Sequence, residues 1–211
     1  MPEKTTTRSY RSTLRTEQAA ATRQRVLAAA AVCFIESGYS GTSLSAIAAR
    51  AEVSPETVKA NGPKRVLLLG AFEQAFAGTE SEELLSESEA GAEMIRLPGD
   101  ELLRTAAAFV AAANARTSVL WMELLSAANA DPEIDESLHE LLARRNRDYL
   151  NLVDALLGSG TFRGELDRAE TAAALSFICS PEGHQQLVLQ SGWSMERYED
   201  WLIATITRLF T

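Results

Sequence analysis

The sequence predicts an all-α fold. Apolar residues recur at three- and four-residue spacing along nearly the whole chain, and no alternating run is long enough to pair as a sheet. Gly, Pro, Ser and Thr interrupt the pattern where helix caps belong. With 211 residues, 46% of them apolar and 23% charged, the chain can bury a sizeable core and is too apolar to stay unfolded.

The first helix is predicted from about Glu17 to Ser37, with Val26, Leu27, Ala30, Ala31, Phe34 and Ile35 on one apolar face. "SGYSGTS" (37–43) ends it: Gly38 suits a left-handed C′ position, and Thr42 or Ser43 can cap the next helix, Leu44 to Ala51. After Glu52 and Val53, Ser54 is a good N-cap, and Pro55 fits the first helical position, where its missing N–H costs nothing. A third helix of under two turns stops near Asn61-Gly62-Pro63. Two short helices joined by a tight turn behind a longer one read as a helix-turn-helix, a pattern that ordinary bundles also contain. The head is therefore residues 16–63, behind a flexible basic arm at 1–15.

Lys64 to about Ala77 forms a linker helix carrying Val66, Leu67, Leu69, Phe72 and Phe76, within a unit bounded at 64–78. Residues 78–94 are acidic and poor in apolar side chains, which predicts a partly helical, mobile connector. The body, 79–211, reads as five helices: about Asp100 to Ala115, Ser118 to Ala128, Pro132 to Leu157, Arg168 to Gln190 and Ser194 to Phe210. Asp131 and Ser194 are caps, 158–167 is a loop, and Pro181 should bend the fourth helix.

The net charge of -9 hides an asymmetry. Residues 1–70 hold ten Lys/Arg against five Glu, whereas the rest holds ten basic and 24 acidic residues. A basic head on an acidic body suits a polyanion such as double-stranded DNA, although charge alone leaves a solvated face equally open. On the third helix Pro55, Glu56, Lys59, Ala60 and Asn61 should be exposed, because Val53 and Val58 are needed inside. Lys59 could bond a guanine and Asn61 an adenine, with Ser43, Thr57, Lys64 and Arg65 on phosphates. The helix N-termini at Thr42/Ser43 and at Ser54 add partial positive charge. Lys4, Arg8, Arg11 and Arg15 either reach DNA as an arm or belong to a disordered tail.

A ligand pocket in the body would draw on Phe109, Trp121, Met122, Leu125, Tyr149, Val153 and Phe177, with Asn114, Arg145 and His184 as polar contacts; each is also an ordinary core or surface residue. Arg145 lies on a polar turn (Arg144 to Arg147) that reads as a solvated face. Leu175, Ile178, Leu187, Trp201, Leu202, Ile206 and Leu209 form apolar surfaces too wide for one subunit to cover, which predicts a homodimer. Cys33 and Cys179 sit in apolar patterns and read as buried free thiols, suited to a reducing cytoplasm. No signal peptide or membrane span is expected, nor a metal or cofactor site, and His139 and His184 have no neighbouring nucleophile or base that would suggest an enzyme.

Residues 22–76 resemble the DNA-binding region of the TetR family of bacterial transcriptional regulators. The resemblance rests on the Thr-Arg opening, Phe34 followed by Gly38-Tyr39 and Gly41-Thr42-Ser43, Ile47-Ala48, Val53-Ser54 with Thr57, and a basic residue ahead of a Leu-rich helix. The stretch 180–210, with its Gly-Trp junction and its Tyr198 and Trp201, resembles the last two helices of many members. The resemblance implies a homodimer whose heads enter successive major grooves of a palindromic operator, a four-helix dimer interface, and an inducer pocket in the body. By position, Ser43, Thr57, Lys59 and Arg65 match phosphate contacts, and Pro55, Glu56 and Ala60 match base-facing positions. Three residues depart from the pattern. Glu52 replaces a turn glycine, Lys59 a tyrosine, and Gly62 an aromatic that plugs the head. These departures keep a second reading open: a helical dimer that binds a ligand or a protein and whose head no longer binds DNA.

Overall fold

The computed structural model describes residues 6–81, 83–160 and 167–210, with side chains from Arg15 onward. The described residues form helices and no strand. Helix α1 spans Thr6–Gly41 and breaks at Gly38, where φ is 72° and ψ 165°. No glycine or proline lies between Thr6 and Ser37, so the first helix starts well before Glu17, and residues 6–15 are helix rather than a flexible arm. Lys4, and the side chains of Arg8 and Arg11, lie outside the described residues. Val26, Leu27, Ala30 and Phe34 are buried as the spacing requires, while Ile35 is exposed.

Helix α2 (Leu44–Ala51) is capped by Ser43, whose hydroxyl accepts from the Ala46 amide. Helix α3 (Pro55–Ala60) is capped by Ser54, which accepts from the Thr57 amide. Helix α4 (Lys64–Ala77) runs back across α1 and on to the body. The connector is better ordered than its composition suggests. A 3₁₀ turn (Leu85–Glu87) leads into α5 (Glu89–Ile95), and the Asp148 carboxylate accepts from the Leu85 amide, the Ser86 amide and the Ser86 hydroxyl.

Helix α6 is one rod, Gly99–Ala128, with no break at Arg116-Thr117. The Thr117 hydroxyl donates to the Ala113 carbonyl one turn back, so a β-branched polar residue is accommodated inside the helix. Helix α7 (Pro132–Gly158) starts from the predicted Asp131 cap. The expected helix from Arg168 to Gln190 is instead three pieces: α8 (Arg168–Ile178), α9 (Pro181–His184) and a π-helical turn (Gln185–Gln190). Pro181 ends α8 rather than bending it, because Ser180 starts a new helix with Pro181 in its first turn. Helix α10 (Met195–Leu209) follows the Ser194 cap. Of the loop expected at 158–167, residues 161–166 lie outside the described residues.

Packing draws a line that composition did not. One apolar core joins α1–α4 to the second half of α6 (Leu120, Trp121, Leu124) and the start of α7 (Ile134, Leu138). A second joins the first half of α6 to the later part of α7, α8 and α10. Helix α6 thus belongs to both, and the head is packed on one end of the body helices rather than tethered to them.

Candidate nucleic-acid interface and ligand cavity

Two tight turns position α3. Glu52 takes φ 55° and ψ 45°, the left-handed conformation that a glycine would hold more cheaply by about 1 kcal/mol. Gly62 takes φ 120°, which side-chain-bearing residues rarely adopt, so an aromatic residue cannot enter with this backbone. The end of α3 is held differently. Arg23 on α1 donates to the Asn61 carbonyl, and its Nε and Nη2 make a bidentate pair with Glu80, at 2.8 and 2.6 Å. Gly70 lets that carboxylate come close, since a Cβ there would collide with Glu80 Oε1.

The DNA-facing candidates divide into two groups. Ser43, Ser54, Pro55, Glu56, Lys59 and Ala60 are exposed, and Thr57 is half-buried beside the Ser54 hydroxyl at 3.1 Å. The Lys59 ammonium makes no hydrogen bond or ion pair among the described residues. The Glu56 carboxyl is held below its usual range, first by its backbone hydrogen bond and then by Ser54. The other group already has partners within the chain. Thr42 is buried, and its hydroxyl is 2.9 Å from the Cys33 carbonyl and 2.8 Å from that of Gly38, so the hydroxyl ties the end of α1 together. The Lys64 ammonium donates to the Tyr39 and Thr42 carbonyls at 2.7 and 3.1 Å and lies over the Tyr39 ring. Arg65 pairs with Glu133 of α7 at 2.6 Å, and the Asn61 amide donates to the Thr57 carbonyl at 2.8 Å.

Behind the head lies a cavity of about 250 Å³ on the seam between the two cores. Phe72, Phe76 and Trp121 line it from the head side, and Phe109, Val110 and Tyr149 from the other. Phe109, Trp121, Arg145 and Tyr149 are therefore gathered as expected. Arg145 lines the cavity, with its guanidinium carbon 5.9 Å from the Trp121 ring centre and 5.7 Å from that of Tyr149. Burial, with the Cys179 thiol nearby, drives the Tyr149 phenol well above its usual range although Arg145 pulls the other way. Burial likewise pushes the Cys179 thiol up to about 11.

Four expected pocket residues are elsewhere. Val153 is buried in the second core, and Leu125 packs against the first. Met122 is 38% exposed and Phe177 is 79% exposed, because each lies on the outward face of its helix. Asn114 binds the Cys179 and Ser180 carbonyls and the Tyr198 hydroxyl behind the cavity, and His184 faces the Ser118 hydroxyl at 3.0 Å. Sequence reading missed Phe72 and Phe76, whose spacing marked them only as linker-helix core, and Asp148, whose role depends on a loop distant in sequence.

The proposed dimer residues also divide. Leu175, Leu202 and Ile206 are buried within the subunit and belong to its second core, so they cannot meet a partner directly. Ile178, Leu187, Trp201 and Leu209 are only partly covered. With Phe177 and the 54% exposed Leu189 they leave α8, the π-helical turn and α10 with apolar side chains turned outward. Helical periodicity marks such residues as apolar without saying which side of the helix the subunit itself covers.

These features define an all-α protein with a helix-turn-helix head packed over an apolar cavity. Residues 26–58 match the family described as bacterial regulatory proteins, tetR family. The head thus carries the helix-turn-helix of the TetR family, and the chain around it has the fold of TetR-type regulators. A TetR-family transcriptional regulator from Rhodococcus sp. superposes with a TM-score of 0.72 at 18% identity, over 90% of this chain and 98% of that one. FadR from Bacillus subtilis, solved in complex with stearoyl-CoA, gives 0.69 at 14% identity, over 89% and 98%. PfmR from Thermus thermophilus, a TetR-family regulator, gives 0.56 at 23%, over 88% and 97%. No curated protein matches the sequence.

Proposed function

We propose that this protein is a ligand-responsive transcriptional repressor of the cytoplasm, without enzymatic activity, that binds a palindromic operator as a homodimer and is released by a small-molecule effector. The position of the cavity carries the reading. It lies between the core that includes the head and the core that includes α8 and α10, so an occupant that alters their packing alters the distance between the two α3 helices of a dimer. Helix α4 lines the cavity through Phe72 and Phe76, and the loop that follows carries Glu80, whose partner Arg23 holds the end of α3. The FadR complex, in which a neighbour of this fold holds an acyl-CoA, supports a ligand-binding body.

The test is selection of random double-stranded DNA on the purified protein, followed by titration of the enriched sequence at several salt concentrations. A palindrome bound with a salt slope indicating several phosphate contacts is expected. One observation favours the second reading, a head that no longer binds DNA: the Lys64 ammonium is held by backbone carbonyls and Arg65 is drawn into a partly exposed pair with Glu133, leaving Lys59 as the cation of the head's third helix with no such partner among the described residues. No enrichment by a folded dimer, with or without effector, would establish that reading instead.

A further inference from the structure

Taking the seam cavity as the effector site, we propose that it accepts a compact apolar carboxylate whose charged end is received by Arg145. The wall is apolar and aromatic, with Phe76, Phe109, Val110 and Met94 beside the Trp121 and Tyr149 rings. A purely apolar occupant would satisfy that wall but not Arg145. This guanidinium lines the cavity, is part-buried, and forms no ion pair among the described residues. It cannot shed its charge, and its bonds to the Ser176 carbonyl (2.5 Å) and the Tyr149 hydroxyl leave some of its five N–H donors open.

The other charges at the cavity do not answer Arg145. Arg144 is paired with Glu73, Asp148 is occupied by the amides and hydroxyl of Leu85 and Ser86, and Glu83 is exposed. The phenol of Tyr149 and the thiol of Cys179 both stay neutral at physiological pH, so neither supplies an anion. Trp121 also lines the wall, but its Nε1 is covered, so the indole offers a ligand its ring rather than its N–H. One carboxylate offers acceptors for the open donors of Arg145. The volume of about 250 Å³ is below the usual 300–1,000 Å³ of drug-sized sites, which favours a compact body.

The test is calorimetric titration of the full-length protein with decanoate, decanol and decylamine, paired with operator release by each. Decanoate is expected to bind at least tenfold more tightly than decanol, with decylamine weakest. Arg145→Met should bring decanoate to the affinity of decanol, and Arg145→Lys should keep part of the preference. Should Arg145→Met fail to fold, the order of the three probes on the native protein decides. Decanol binding as tightly as decanoate, a preference that survives Arg145→Met, or no binding by any probe overturns the proposal. Operator release separates the two readings. Decanol that releases the operator as well as decanoate does preserves the effector site and overturns the carboxylate. Decanoate held through Arg145 without effect on the operator preserves the carboxylate and overturns the effector role.

Discussion

Single side chains set the limits of the head. Glu52 is the one non-glycine described with a positive φ, and Glu52→Gly should raise stability by about 1 kcal/mol in urea denaturation. Lys59 is exposed on α3 without an internal partner, so Lys59→Ala should weaken operator binding and reduce the salt slope by roughly 1. An unchanged slope would remove it from the phosphate contacts. In the body, burial lowers the pKa of His184 below the ordinary 6.5, and its Nε2 has no partner among the described residues. The unfolded chain therefore takes up this proton first: stability is fully present above pH 6.5 and falls as the pH drops through that value toward the folded pKa. His184→Gln should flatten the loss of urea midpoint between pH 7.5 and 5.5.

Between elements, the coupling depends on a few tertiary bonds. The Glu123 carboxylate of α6 accepts from the Tyr39 amide at 2.7 Å, and Arg116 of the same helix caps the end of α4 through the Ala75 and Phe76 carbonyls. The Arg23–Glu80 pair continues this path to α3. Arg23→Ala should release the last turn of α3, seen as at least tenfold faster hydrogen exchange at the Asn61 and Gly62 amides while amides of α6 keep their rates. Uniform protection across α3 in that variant would mean that the pair adds nothing. The helix starts were legible because Ser43, Ser54, Asp131 and Ser194 act within their own next turn. The continuity of α6 was not, since Arg116-Thr117 reads as a break until Thr117 is seen bonding back along the helix.

For the whole molecule, the outward apolar residues of α8, the π-helical turn and α10 predict association. Phe177 lends itself to a test because, at 79% exposure, it contributes little to its own subunit's core. Phe177→Glu should leave the thermal unfolding of the subunit core recognisable while shifting sedimentation from dimer to monomer. It should also abolish tight operator binding, since a palindrome rewards two heads fixed together. A variant that stays dimeric would place the interface on another face.

The sequence by itself determined the all-α class, the helix starts at Ser43, Ser54, Asp131 and Ser194, the helix-turn-helix and the linker helix, because each depends on periodicity and on residues within a turn of one another. It also located the body's aromatic residues and the charge contrast between head and body. Only the tertiary structure decided which side of each amphipathic helix is covered. It moved Phe177 from pocket to surface and Leu202 from interface to core, and of the two readings of Arg145 it favoured the cavity wall. The partners of Lys64 and Arg65 escaped the sequence for a related reason: Tyr39, Thr42 and Glu133 are distant in sequence, and only the packing of α4 against α1 and α7 brings them within reach.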